Sequence, residues 1–405
     1  MRKLSGTVLS LIVVLISQNT YPQWAQFIDN HHISYNTLSI NQFNFNIWNN
    51  GTFWNPDQVF NNNYKGDLLW PGGQIAYQWL NFEDAFFIWG KRDSQIYFNG
   101  DFSQFGWLRP GKVLDNGIHD DPFKDRYRVF RILKNWETTP FGPERDQLEK
   151  DYNDWPIEDG APWVDRDLDA IFTRGIDQPD FLGDEVLFYV ANDINYPDSN
   201  YWNRPLNLEY QVTSWEFNRT GTLGDAIFLK IKLINKQTSP FDNLYFSYSV
   251  YYEIKNLLEN IRAAGCDTLL DLGYCYFLEN QDDYQYGTDP PAFGYILLQG
   301  PLVNGSSSDS AFFDQKWQKG YSNEKMNSFY GFFNDDENTA QIDDSTLATR
   351  PSSDLPLDIG HQYYNLLRGI YVSGHNPITD PITLKQTPYM VPGDPETNSG
   401  WTALT

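Results

Sequence analysis

The feature that most narrows the fold is a two-residue rhythm in the middle of the chain. From Ala226 to Ile234, Ile227, Leu229, Ile231 and Leu233 face one way while Lys230 and Lys232 face the other. From Leu244 to Tyr252, Leu244, Phe246, Tyr248, Val250 and Tyr252 share a side. Successive side chains of a strand point to opposite faces, so this period describes strands with one buried face. The connection from Asn235 to Asn243 carries Pro240 and Asp242-Asn243, which favour turns. The two segments therefore predict strands of one antiparallel sheet. Segments 185–190 and 208–217 precede them as strands, and 269–277 and 293–298 continue the pattern. That spacing predicts a mostly β chain with an antiparallel β-sandwich domain.

The flanks are less regular. Residues 23–65 are rich in Asn and aromatics, with Asn50-Gly51 as a turn signal, and read as short strands and loops. Segments 86–89 and 95–98 read as paired strands joined through 91–94. The β-branched and aromatic content of 127–133 favours a strand, with Arg128 and Arg131 on opposite faces, each pairing with an acid or reaching water. Residues 143–155 read as a helix: Pro143 opens it, acids occupy its first turn, and Leu148, Tyr152 and Trp155 recur at helical spacing before Pro156. Beyond 300 the chain changes character. Residues 304–310 read as a flexible loop, 334–356 as an acidic surface excursion, and 361–371 as a short helix or strand. The last residues, Gly400–Thr405, carry no terminating signal, which predicts a piece of a longer protein.

Composition bounds the class. The chain has 405 residues, is 40% hydrophobic and 17% aromatic, and so has enough apolar matter for real cores. Its net charge of -24 repels phosphate backbones, which argues against nucleic acid as a partner. Arg2 and Lys3 followed by the apolar run 7–16 read as a signal peptide ending by residue 22. No later apolar run is long enough for a transmembrane helix, so the mature chain is expected to be exported without one. Two cysteines, Cys266 and Cys275, are too few for a disulfide framework. On one extended strand they would face opposite sides; a turn near Asp271-Leu272-Gly273 would instead make a hairpin that allows pairing. The expected organisation is a leader at 1–22, an aromatic-rich β region with few short helices at 23–160, a sandwich at 161–300, and a C-terminal region at 301–405.

The clearest chemistry lies at the start of the expected sandwich, in Asp165-Arg166-Asp167-Leu168-Asp169-Ala170-Ile171 and on to Asp177. Calcium takes many oxygen ligands, and a short loop supplies them from its first, third and fifth residues, a carbonyl at the seventh and a later carboxylate. Asp165, Asp167, Asp169, the Ile171 carbonyl and Asp177 are therefore candidate calcium ligands. Ala170 stands where the sharp turn usually has Gly, and Asp177 is one step past the usual last ligand. An acidic surface turn is the alternative. His119-Asp120-Asp121 is a weaker metal candidate. No zinc motif, phosphate-binding Gly-rich loop or nucleophile elbow is present. A carboxylate pair for glycoside hydrolysis is defined only in three dimensions.

Several segments together suggest a family. The runs WPIEDGAPWVDRDLDAIFTRGIDQPDFLGDEVLFYVAND, LEYQVTSWEFNRTGTLGDAIFLKIKLINK, GCDTLLDLGYCYF, PPAFGYILLQGP and YYNLLRGIY resemble large exported proteins of the Bacteroidetes/Ignavibacteria kind, which typically end in a type IX secretion sorting domain. The resemblance covers most of the chain from about residue 45. It implies a calcium loop at 165–177, from which Ala170 departs, and export by that route; the sorting domain is not evident in this sequence. Relatives are acidic before the segment matching Gly265-Cys266-Asp267, whereas 254–264 here holds one Glu and two basic residues. No activity comes with the resemblance. Two functions follow as expectations: a non-catalytic, calcium-stabilised structural or adhesive protein of the cell surface or medium, or a secreted protein that binds or hydrolyses polysaccharide. Its expected partners are extracellular polysaccharide or cell-surface components.

Overall fold

The computed structural model describes residues 33–53, 68–70, 79–81, 83–100, 108–194, 205–251, 262–282, 286–288, 290–313, 316–330, 361, 364–370 and 377–404. The chain is mostly β, built from antiparallel sheets with few short helices. Contacts divide it into two compact units, Ile16–Ile254 and a second containing Lys255–Thr405. The expected leader and the expected excursion 334–356 lie outside the described residues.

The first unit holds three larger sheets. In one, β1 (Tyr35–Leu38) pairs β2 (Asn44–Trp48), followed by β3 (Leu68–Leu69) and β4 (Trp79–Asn81). In the next, β5 (Glu83–Arg92) and β6 (Gln95–Asn99) form the expected hairpin, with Arg92 opposite Gln95. Asp93 and Ser94 make its two-residue turn at φ 50° and 65°, the backbone that matches strand twist in a tight hairpin. The third sheet is centred on the fully buried β11 (Glu185–Asn192). Two short strands share one of its edges: β7 (Arg109–Pro110) meets its C-terminal end and β8 (Phe130–Leu133) its N-terminal half. β12 (Leu208–Glu216) lines the other edge, with β13 (Ile227–Asn235) beyond it. A separate ribbon pairs β9 (Trp163–Val164) with β10 (Gln178–Pro179). The third sheet joins residues from both sides of the expected 160/161 boundary.

One expectation is corrected. β13 and β14 (Asn243–Tyr251) do not share a sheet: β13 pairs β12, while β14 runs nine residues in register along β5, from Asn243 opposite Lys91 to Tyr251 opposite Glu83. The turn formers at 240–243 therefore carry the chain from one sheet to another. The long β5 offers a complete ladder, and a hairpin partner for β14 would forfeit it.

Aromatic side chains fill this unit. Phe45, Phe53, Phe86, Phe246 and Tyr248 link the β1–β2 sheet to the β5–β14 sheet, with ring centroids 5.1 to 6.2 Å apart. On the third sheet, Val186, Phe188 and Val190 pack with Tyr127, Phe130, Ile132, Trp155 and Ala161. The helix α1 (Pro143–Asn153) completes that cluster: Leu148 is buried, Tyr152 packs against it, and Pro143 sits in its first turn as expected. Arg128 lies before the strand, not in it, and both arginines find acids. Arg128 bonds Asp125, Asp151 and Asp154, and its guanidinium lies 4.0 Å from the Phe130 ring centre. Arg131 bonds Glu144 and Glu185.

In the second unit, β15 (Arg262–Asp267), β16 (Leu272–Phe277) and β19 (Phe293–Ile296) form one sheet. β17 (Gln281–Asp282) pairs β18 (Gly287–Thr288), β20 (Leu302–Asn304) pairs β23 (Tyr321–Asn323), and β21 (Ser310–Phe313) pairs β22 (Lys316–Lys319). The expected strand 269–277 is thus a hairpin whose turn occupies 268–271, with Asp271 at φ 53°. Ala264 sits opposite Cys275 and Gly273 opposite Cys266, so the two cysteines are diagonal neighbours; both are buried thiols and no disulfide joins them. A second core gathers Leu366, Ile378, Met390, Val391 and Trp401 with Phe329 and Tyr330.

Candidate metal centre

The loop 165–177 begins and ends on the β9–β10 ribbon, where Val164 pairs Gln178 and Trp163 pairs Pro179. That pairing brings Asp165 and Asp177 together at the neck. Asp165 organises the first half: Oδ1 accepts the Leu168 N–H at 2.6 Å and Oδ2 the Ala170 N–H at 2.9 Å. Asp177, nearly buried, organises the second: Oδ1 accepts the Arg166 N–H at 2.8 Å and Oδ2 the Thr173 N–H at 2.6 Å. The Arg166 guanidinium bonds Gln178 across the neck. These bonds coil the loop tightly, with Leu168 and Ala170 both at φ 62°, a left-handed conformation costly for residues with a Cβ. Leu168 and Ile171 are largely exposed and only Phe172 packs, edge-on against Trp163, so the loop is held chiefly by its carboxylates.

Asp165, Asp167 and Asp177 place carboxylate oxygens within 4.8 Å of one another. Asp169 instead accepts the Ile171 N–H at 2.7 Å. Desolvation holds the Asp167 carboxyl above its ordinary value, and the neighbouring charges of Asp169 and Asp177 add to this. An ionised carboxylate has about four lone-pair sites. Two N–H bonds each to Asp165 and Asp177 therefore leave oxygen capacity for a hard cation. The residues present fit calcium in ligand type.

The weaker candidate at 119–121 is occupied by protein contacts. Asp120 bonds Lys124 at 2.7 Å and accepts the Tyr127 hydroxyl at 2.5 Å. Burial opposes ionisation there, but the Lys124 and Tyr127 bonds hold its carboxyl down at about 2.

The sequence reading passed over the buried acids of the third sheet. Glu185 and Glu216 are directly opposite on β11 and β12 and wholly buried. Asp151 on α1 accepts Arg128 Nε at 2.9 Å, the Arg131 N–H at 3.0 Å and Gln147 Nε2 at 2.8 Å. Asp159 bonds Arg126 Nε at 2.8 Å and pairs with Lys112 at 3.1 Å. Asp193 accepts N–H groups of Leu206 and Leu208, and burial pushes its carboxyl up to about 6. Their signal was present: a Glu at the head or tail of an apolar strand is costly unless it is bonded there.

Comparison with known proteins finds no matching family, no matching curated protein and no matching solved structure.

Proposed function

We propose that this chain is an exported, non-catalytic structural or adhesive protein of the cell surface or medium, in which calcium ties the loop 165–177. The convergence of Asp165, Asp167 and Asp177 within 4.8 Å carries the reading. The loop has little apolar packing, so a cation at its neck would replace the core it lacks. The Ile171 carbonyl is a further proposed ligand from the same short loop, while Asp169 lies outside the cluster and accepts the Ile171 N–H. The leader at 1–22 and the resemblance to type IX secreted proteins support export. Among the described residues no helix is long and apolar enough to cross a membrane.

The placement of acids and aromatics favours this over the polysaccharide reading. A glycoside hydrolase needs two facing carboxylates open to substrate. Glu185 and Glu216 face each other, yet both have 0% exposure. Among the described residues Tyr127, Tyr189, Tyr210, Phe53, Phe86, Phe130 and Phe188 are fully buried, as packing residues are, and the exposed Phe123, Phe141 and Trp317 lie on separate segments.

Thermal melts with calcium and with chelator test the proposal. A ligand that binds only the folded state stabilises it by about 2.7 kcal/mol at a hundredfold excess over Kd. The wild type is expected to melt higher in calcium, and Asp167→Ala, at an exposed position, is expected to keep its fold and lose that shift. Identical wild-type melts, or an undiminished shift in the variant, refute it.

A further inference from the structure

The pair Glu185 and Glu216 has a geometry that ordinary ion pairing does not explain. The turn between β1 and β2 lies over it. Glu185 Oε2 accepts N–H groups of Ser39 at 2.9 Å and Ile40 at 3.2 Å, and Glu185 Oε1 accepts Arg131 Nε at 2.5 Å. Glu216 Oε1 accepts N–H groups of Ile40 and Asn41. Glu216 Oε2 is buried and has no donor among the described residues, although the two carboxyl groups are within hydrogen-bonding reach of each other. A buried carboxylate oxygen left bare is costly, and two adjoining carboxylates resist joint ionisation. A proton on Glu216 Oε2, donated to Glu185, resolves both conflicts at once.

We infer that Glu185 and Glu216 share a single proton and, in that state, latch the β1–β2 turn to the third sheet, so that raising the pH opens the latch. The other charged groups around it leave this assignment in place. Among the described residues Arg131 on β8 is the one cation contacting the pair, and it is itself shared with Glu144 of α1. Asp151 takes the Arg131 backbone N–H and the Arg128 guanidinium. Asp184, next to Glu185, pairs with Lys134 and Arg219. Asp225, beyond the turn, accepts Trp70 Nε1. One cation thus faces two acids. Burial first, then the hydrogen bond with Glu185 and its charge, raise the Glu216 carboxyl to about 9, against an ordinary 4.5.

A folded-state value raised above the unfolded one means that folding takes up a proton. The resulting stability is complete below the unfolded value and is lost as pH climbs through the folded one. Asp193 contributes similarly only up to about 6, and the buried Cys266 thiol, pushed up to about 12 from an ordinary 9, only as pH nears 9, so the pair is read from about pH 6.5 to 8 as the difference between wild type and Glu216→Gln. Denaturant unfolding of the full chain there is expected to show the folding constant falling by up to roughly tenfold per pH unit. Amide exchange at Ile40 and Asn41, corrected for base catalysis, is expected to lose protection in step. Glu216→Gln supplies a permanent N–H donor in place of the proton and is expected to flatten both dependences. Unchanged slopes in the variant overturn the inference. Should the variant not fold, infrared spectra of wild type grown on carbon-13 glutamate decide. A protonated-carboxyl band that shifts with the label at neutral pH and fades on alkalinisation supports the shared proton; no such band overturns it.

Discussion

Asp151 is the joint between α1 and the third sheet, and removing it makes the sharpest stability test. Its carboxylate is wholly buried. It holds Arg128 Nε at 2.9 Å, the Arg131 backbone N–H at 3.0 Å and Gln147 at 2.8 Å. Asp151→Ala deletes a charge-assisted bond worth about 1.5–3 kcal/mol and leaves a buried N–H unpaired at about 1–3 kcal/mol. Arg128 keeps Asp125, Asp154 and the Phe130 face, so the loss should fall in the lower part of the summed range. The expected cost is about 3–4 kcal/mol, in line with breaking one side of a buried pair. Urea unfolding followed by tryptophan fluorescence measures it, because Trp155 packs in the adjoining cluster. Glu149→Ala, exposed on the same helix, should stay within about 0.5 kcal/mol of wild type. If Asp151→Ala costs no more than that control, the buried carboxylate is not what fastens the helix.

Two further outcomes follow from the same geometry. Ala170→Gly should relieve the left-handed strain at φ 62° and stabilise the loop by roughly 0.5–1 kcal/mol after the added chain entropy of glycine, read as a higher melting temperature in chelator; a lower one would contradict the loop's conformation. Tyr127→Phe should cost about 1.5–3 kcal/mol at neutral pH by removing the 2.5 Å bond to Asp120. The Asp120 carboxyl is held down at about 2 from its ordinary 3.8, so its contribution exists above the unfolded value and is lost as pH falls toward 2. The variant should therefore lose less stability than wild type on acidification, measured by denaturant unfolding at descending pH.

Much of the fold was legible because local rules decide it. The segment 185–190 became β11, 208–217 became β12, and 143–155 gave α1 with its proline in the first turn. Each reports a period or a stop signal within a few residues. Partner choice was not legible. Nothing near Asn243 says that β14 will pair a strand as distant as β5. A hairpin near Asp271 is one of two readings of the cysteine segment, and 269–277 is favoured as one strand because the turn residues 268–271 include Leu269 and Leu270, which read as strand. Asp165, Asp167 and Asp177 were found from spacing, since a loop places its own carboxylates. Glu185 and Glu216 belong to different strands, and only the ladder between them makes a pair.

The β5–β14 ladder also bears on how the chain comes to be folded. β5 and β6 form a local hairpin as soon as residue 99 is available, but the other edge of β5 has its partner only at 243–251. A chain emerging from N- to C-terminus therefore carries that strand edge, flanked by Phe86, Phe87 and Trp89, open to other chains until nearly the whole first unit has followed. Non-local pairing of this kind folds slowly, and an unpaired aromatic strand edge recruits foreign strands. Truncations ending before Asn243 are thus expected to aggregate, whereas those ending after Tyr251 retain every strand of the first unit's described sheets.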